Sequence, residues 1–234
     1  MGKSYVIASG NGGAGKSMFA VNLAYLLSEK GFKTILIDMD TGMRTLDLYL
    51  GLQNNIVYDL DDVLSGRCRI RQGIVKYSEN LYLMAAAPVK LSADSNEQSF
   101  LNLIEKLKNS FDYIIMDGPK GRSVEFAAKG ADEALILSCG DYASNRNADS
   151  ISKFLHEKGV DKQYLIFNKI SKKLIAQEFA PRIEQLMNYI KVKPIGIIQY
   201  DENITVSTNL GVPIVCKKGT YIRRAFESIL KELL

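Results

Sequence analysis

The chain has 234 residues, a formal net charge of +4, 47% hydrophobic and 24% charged residues. These values fit a globular protein with a full core and exclude a disordered or collagen-like chain; the mild charge gives no strong case for nucleic acid. No apolar run reaches the ~18 residues of a membrane span, and Met1-Gly2-Lys3-Ser4 leads straight into the first apolar run. No secretory leader is therefore expected, and the cytoplasm is the expected compartment.

In chain order, residues 5–9 (Tyr5-Val6-Ile7-Ala8-Ser9) read as a short buried strand. Gly10-Asn11-Gly12-Gly13-Ala14-Gly15-Lys16-Ser17 follows and fits G-x-x-x-x-G-K-[ST] at every fixed position. Residues 17–30 then carry Ala20, Leu23, Ala24 and Leu27 at helical spacing. Strand, glycine loop and helix form the context in which backbone N–H groups and a helix N-terminus cradle phosphate. Lys16 would reach the β- and γ-phosphates, and the Ser17 hydroxyl would ligate Mg²⁺. The same residues also spell Gly10-x-Gly12-x-x-Gly15, the dinucleotide fingerprint, with Asp38 at a suitable distance. A dinucleotide site has no need for Lys16-Ser17, so the triphosphate reading is preferred.

Residues 34–37 form the next strand run, followed by Asp38 and Asp40. Arg67, Arg69 and Arg71 make a local basic cluster, as do Lys169, Lys172 and Lys173; solvated surface is the preferred reading of both. Strand runs recur at residues 81–86, 113–116, 134–137, 164–167 and 195–198. Helical patterns lie at residues 99–109, 144–157, 174–190 and 221–234. Asp117 caps the run Tyr113-Ile114-Ile115-Met116, the pattern of a carboxylate holding the hydration shell of magnesium, and Asp38, at the end of its own strand, is expected to serve the same metal; the bland alternative for each is a loop former. His156 reads as a surface residue. Cys68, Cys139 and Cys216 are too scattered for a disulfide framework or a local zinc site. Ile222, Phe226, Ile229, Leu230 and Leu233 form one stripe, read as core packing in preference to membrane docking.

Strands alternating with helices predict an α/β fold: a doubly wound, mostly parallel sheet flanked by helices on both faces, of P-loop NTPase type. No linker, repeat or low-complexity stretch divides the chain, so one domain over residues 1–234 is expected. Ligands of such sheets bind beyond the carboxyl ends of the strands, where Asp38 and Asp117 fall.

Gly12-Gly13-Ala14-Gly15-Lys16-Ser17, with the stretch from Ile37-Asp38-Met39-Asp40 through Leu46-Asp47 to Gly51-Leu52, resembles the MinD/ParA group of deviant Walker A ATPases, and the second stretch the MinD branch in particular. Asp112-Tyr113-Ile114-Ile115-Met116-Asp117-Gly118-Pro119, Ala131-Asp132-Glu133-Ala134 and Asn209-x-Gly211-x-Pro213 extend the likeness along nearly the whole chain. The resemblance implies binding of ATP and ADP with Mg²⁺, an ATP-dependent homodimer, and hydrolysis in placing the division site or positioning chromosomes or cargo. It also implies that Asp40 positions the attacking water, a role a γ-phosphate displacement requires. Asn168 would read the adenine, with a strand-end turn residue as the alternative.

The family's signature lysine falls at Asn11 here. Asparagine cannot supply a cation, so binding is expected to persist through Lys16, Ser17 and the loop backbone, while fast hydrolysis and the nucleotide-driven dimer lose a contributor. Lys120 stands just after Asp117 and could replace that charge, although a solvated loop lysine is the plainer reading. Gln199-Tyr200 replaces the family's usual Pro-Glu near the base, which loosens the adenine assignment. Competing functions are a non-hydrolysing nucleotide-binding regulator, a partition protein on DNA, a metallocofactor-assembly ATPase and a flagellar-number regulator. Direct contact with DNA or membrane is not expected.

Overall fold

The structure, a computed structural model, describes residues 1–89 and 96–234. Its elements run β1 (Lys3–Ala8), α1 (Lys16–Glu29), β2 (Thr34–Asp38), α2 (Leu46–Tyr49), α3 (Leu60–Leu64), β3 (Val75–Lys76), β4 (Leu81–Met84) and α4 (Glu97–Lys108). They continue with β5 (Tyr113–Asp117), α5 (Glu125–Ala128), β6 (Glu133–Cys139), α6 (Tyr142–Glu157), β7 (Lys162–Ile170), α7 (Lys172–Ala176), α8 (Ile183–Met187), β8 (Lys193–Gln199), α9 (Glu202–Asn209) and α10 (Tyr221–Leu233).

The strands form one sheet in the order β3-β4-β2-β5-β1-β6-β7-β8. Every pairing is parallel except that of the two-residue edge strand β3 with β4. The apolar runs of β1, β2, β5 and β6 are buried on both faces, as a parallel sheet covered by helices demands. One face packs on α1 and α10, where Phe19 and Phe226 stack with ring centroids 5.4 Å apart. Ile222, Phe226, Ile229, Leu230 and Leu233 of α10 are all buried there, so the predicted stripe is core. The other face carries α4 and α6, with Phe100, Leu103, Ile151 and Leu155 against the sheet.

β1 lies between β5 and β6, at the point where the chain reverses its direction of travel across the sheet. A crevice opens at such a switch point. The pairings Ile7 with Asp117 and Asp38 with Asp117 bring three strand ends together there, and Asn168 ends up beside Cys139, two strands from β1.

One predicted helix is corrected. Residues 174–190 do not form a single helix but end α7 at Ala176 and begin α8 at Ile183. Glu178 takes φ +61°, and the N–H groups of Phe179 and Ala180 turn back to the Leu174 carbonyl. Pro181 then blocks continuation, because it lacks a donor and pushes the preceding residue out of the helical region. The apolar spacing persists across this break, which made the two helices look like one. His156 is exposed and pairs with Asp161, as a surface residue does.

Candidate nucleotide-binding site

The loop between β1 and α1 is shaped by its glycines. Gly13 and Gly15 adopt φ +73° and +90°, a region that costs other residues energy. A Cβ on Gly15 would also strike the Asn168 side-chain amide, so the position is closed to any larger residue. Gly15 caps α1 without a side-chain hydrogen bond, and no acidic residue stands in the first turn. The first N–H groups of α1 are thus left for an anion, with the helix dipole behind them.

Lys16 is buried, its Nζ 3.3 Å from Ser9 Oγ, and points back toward the loop. The Ser17 hydroxyl bonds the Asp117 carboxylate, whose Oδ1 has no partner among the described residues. Burial first, and then the charge of Asp38, push the Asp117 carboxyl up to about 7, against the opposing pull of Ser17 and Lys16. Two buried carboxylates, one with an oxygen that has no partner among the described residues, beside a hydroxyl and a lysine are a fitting place for a cation with a phosphate partner. Magnesium takes few protein carboxylates and keeps several waters. Among the described residues no cluster of three or more His, Cys, Asp or Glu side chains forms an all-protein metal cage.

Asp38 is also fully buried, and burial raises its pKa. Its Oδ1 accepts from the Asp40 N–H (3.0 Å), and its Oδ2 from Thr45 (2.9 Å) and Leu46 (3.1 Å). Asp38 therefore fastens the segment carrying Asp40, which lines the crevice while Asp38 and Asp117 lie behind its wall. Arg44 Nε bonds the buried Asp47 at 2.7 Å and braces the same segment.

The crevice holds about 580 Å³. Its lining combines Gly12, Gly13, Gly15, Lys16, Ser17 and Asp40 with Asn168, Gln199, Tyr200, Ile204 and Thr208. Asn168 is completely buried; its Nδ2 donates to the Ala14 carbonyl at 2.8 Å, and its Oδ1 is left without a partner among the described residues. Ala14 itself does not face the crevice. All ten sequence-predicted site residues thus gather around one pocket, with Asp38, Asp117 and Ala14 as its supporting layer.

Sequence reasoning missed two parts of this site. Helix α9 supplies Ile204, Thr205 and Thr208, although Asp201, which accepts from the Asn203 N–H at 2.7 Å, was a readable helix cap. Lys169 was read as solvated, yet its Nζ donates to the Gly13 carbonyl at 2.7 Å. Its φ of +58° and the irregular register between Phe167 and Ile170 aim it at the loop. In the other basic cluster, Arg67 pairs with Asp61 and Asp62.

Residues 5–214 match the family described as CbiA, the CobQ/CobB/MinD/ParA nucleotide binding domain. The chain belongs to this family. The septum site-determining protein MinD of Bacillus subtilis is 32% identical over 240 residues, spanning 100% of this chain and 90% of that protein. The Aquifex aeolicus MinD of a MinC:MinD cell division complex superposes with a TM-score of 0.90 at 32% identity, covering 99% of this chain and 95% of its own. MinD of Pyrococcus horikoshii, solved with Mg-ADP, gives a TM-score of 0.89 at 25% identity, covering 100% and 96%. The doubly wound fold is that of these MinD structures. Among the described residues no helix is long and apolar enough to cross a membrane.

Proposed function

We propose that the chain is a MinD-type ATP-binding switch: a single P-loop domain that binds ATP with Mg²⁺, pairs with a second copy, and returns to monomers after hydrolysis. The observation that carries this reading is a pair of buried acceptors with no partner among the described residues, Asn168 Oδ1 in the lining of the crevice and Asp117 Oδ1 just behind its wall. An amide oxygen in that lining can accept from the N6 amine of adenine, where guanine carries the acceptor O6 instead. A carboxylate bonded to Ser17 at the phosphate end suits a metal–phosphate partner.

On this reading Lys16 and the free N–H groups of α1 hold the β- and γ-phosphates. Ser17 ligates Mg²⁺, Asp117 holds one of its waters, and Asp38 acts on the site through the segment it fastens. The Mg²⁺ that these residues would hold would supply neutralisation of phosphate charge. Asp40, in the same wall, accepts a hydrogen bond from the attacking water and sets it in line. Hydrolysis is slow, because the neutral Asn11 does not face the crevice: its side chain is bonded by Asn147 of α6.

The likeness to septum site-determining proteins supports a role in division-site positioning; the switch would act there with a regulatory protein as its partner and reach a membrane only through partners. Calorimetric titration with ATP and GTP, with and without Mg²⁺, tests the site. Mg-dependent ATP binding at least tenfold tighter than GTP binding is expected; equal affinities would remove the adenine assignment, and no binding would remove the function.

A further inference from the structure

The crevice contains a cation that the reaction scheme above leaves unused. Lys120 follows β5 in Asp117-Gly118-Pro119-Lys120-Gly121. Its backbone is held against the nucleotide loop: the Gly118 N–H donates to the Ile7 carbonyl (3.1 Å) and the Gly121 N–H to the Ser9 carbonyl (3.0 Å). Gly121 makes the turn at φ +60°, a conformation that suits glycine. Lys120 Cδ lies 3.6 Å from the point a Cβ on Gly12 would occupy, so the stem runs along the loop and the side chain lines the crevice with Lys16 and Asp40.

The other two lysines of the crevice already have partners in the loop: Lys16 Nζ is near Ser9 Oγ and Lys169 Nζ is on the Gly13 carbonyl. Lys120 is exposed and makes no ion pair or hydrogen bond among the described residues. Asn11, at the entrance of the loop, is turned to Asn147 and carries no charge. Lys120 lines the crevice beside the phosphate loop, next to Gly12.

We propose that Lys120 is a phosphate-binding residue that places its ammonium on the terminal phosphate of a bound nucleoside triphosphate within the same chain, so that the site tells triphosphate from diphosphate. This rests on the nucleotide-binding reading above. An exposed ammonium with no partner among the described residues breaks no protein contact when it moves onto a phosphate oxygen, and charge-assisted contacts of this kind are among the stronger hydrogen bonds. The contact exists only when a third phosphate is present, which gives a nucleotide-dependent change at the end of β5. No bond is made or broken by Lys120; it neutralises charge.

Equilibrium binding of fluorescent ATP and ADP analogues with Mg²⁺, on wild type, Lys120→Ala and Lys120→Arg, tests the proposal, with thermal melting as the control for folding. The ATP affinity of Lys120→Ala is expected to fall about tenfold while its ADP affinity stays within about twofold, and Lys120→Arg retains most of the preference. An unchanged ATP-to-ADP ratio in Lys120→Ala overturns the proposal, whether both affinities are kept or both fall together. If wild type binds neither nucleotide, the nucleotide-binding reading fails first and the inference with it; if wild type binds both and only the lysine variant is silent, the inference fails alone.

Discussion

Replacing Asp117 by asparagine separates what the site costs the fold from what it does. Asp117 is 1% exposed, has an Oδ1 with no partner among the described residues and lies beside the buried Asp38. Its carboxyl is raised from the ordinary 3.8 to about 7, mainly by burial. A raised acid favours the folded state while protonated, so its cost to stability is absent below the unfolded value, builds up between 3.8 and about 7, and is constant above. At about 1.4 kcal/mol per pH unit, that cost amounts to about 4 kcal/mol at pH 8 and roughly 2 kcal/mol at pH 5. Asparagine has nearly the same shape and no charge. For a chain of this length each kcal/mol moves Tm by roughly 2–4 °C. Without nucleotide, Asp117→Asn is expected to melt about 8 °C or more above wild type at pH 8, with the gap narrowing as the pH falls to 5. With Mg²⁺ and nucleotide the order reverses, since wild type gains a ligand that the variant holds poorly. Scanning calorimetry at pH 5 and pH 8, with and without Mg-ADP, reads all four states. A variant less stable than wild type at pH 8, or one that keeps the full wild-type pH slope, would refute the claim that this carboxylate is held against its solvation preference.

Other substitutions probe separate parts. Gly15→Ala should abolish nucleotide binding and cost about 1–3 kcal/mol, through its positive φ and the clash with Asn168; denaturant unfolding and nucleotide titration check it, and normal binding would contradict the loop geometry. Asn168→Ala should weaken ATP binding more than GTP binding, since it removes the base contact from ATP alone while freeing the Ala14 carbonyl loosens the loop for both; a preserved preference for ATP in competition titrations would discard the base-reading role. Phe226→Ala, in the core under α10, should cost about 3–5 kcal/mol in urea unfolding, and a loss below about 1 kcal/mol would show that α10 is not packed as described.

Much of this site was legible because its chemistry is written in consecutive residues. Gly10 to Ser17 needs no partner to be recognised, and Asp117 announces itself by ending an apolar run. The sheet's doubly wound character followed from strands and helices that alternate. What was hidden depended on geometry that spacing does not encode. Helix α9 buries no residue and mixes Ile204, Thr205, Val206 and Thr208, β-branched types with no apolar stripe, so periodicity was silent. Residues 174–190 kept helical spacing although Glu178 and Pro181 split the backbone. Lys169 reaches Gly13 only because β7 is irregular between Phe167 and Ile170. Asp38 was expected to serve the metal; that its two oxygens also accept from three N–H groups of the following segment, up to eight residues away, is a partnership no motif displays.

The central claim is that a nucleoside triphosphate drives this chain into a dimer and that hydrolysis ends it. Light-scattering mass in ADP and in ATP with Mg²⁺, with phosphate release followed on the same samples, tests it most directly. The account predicts a monomer in ADP, a dimer in ATP and slow phosphate release. A monomer in both nucleotides with no phosphate released would contradict it.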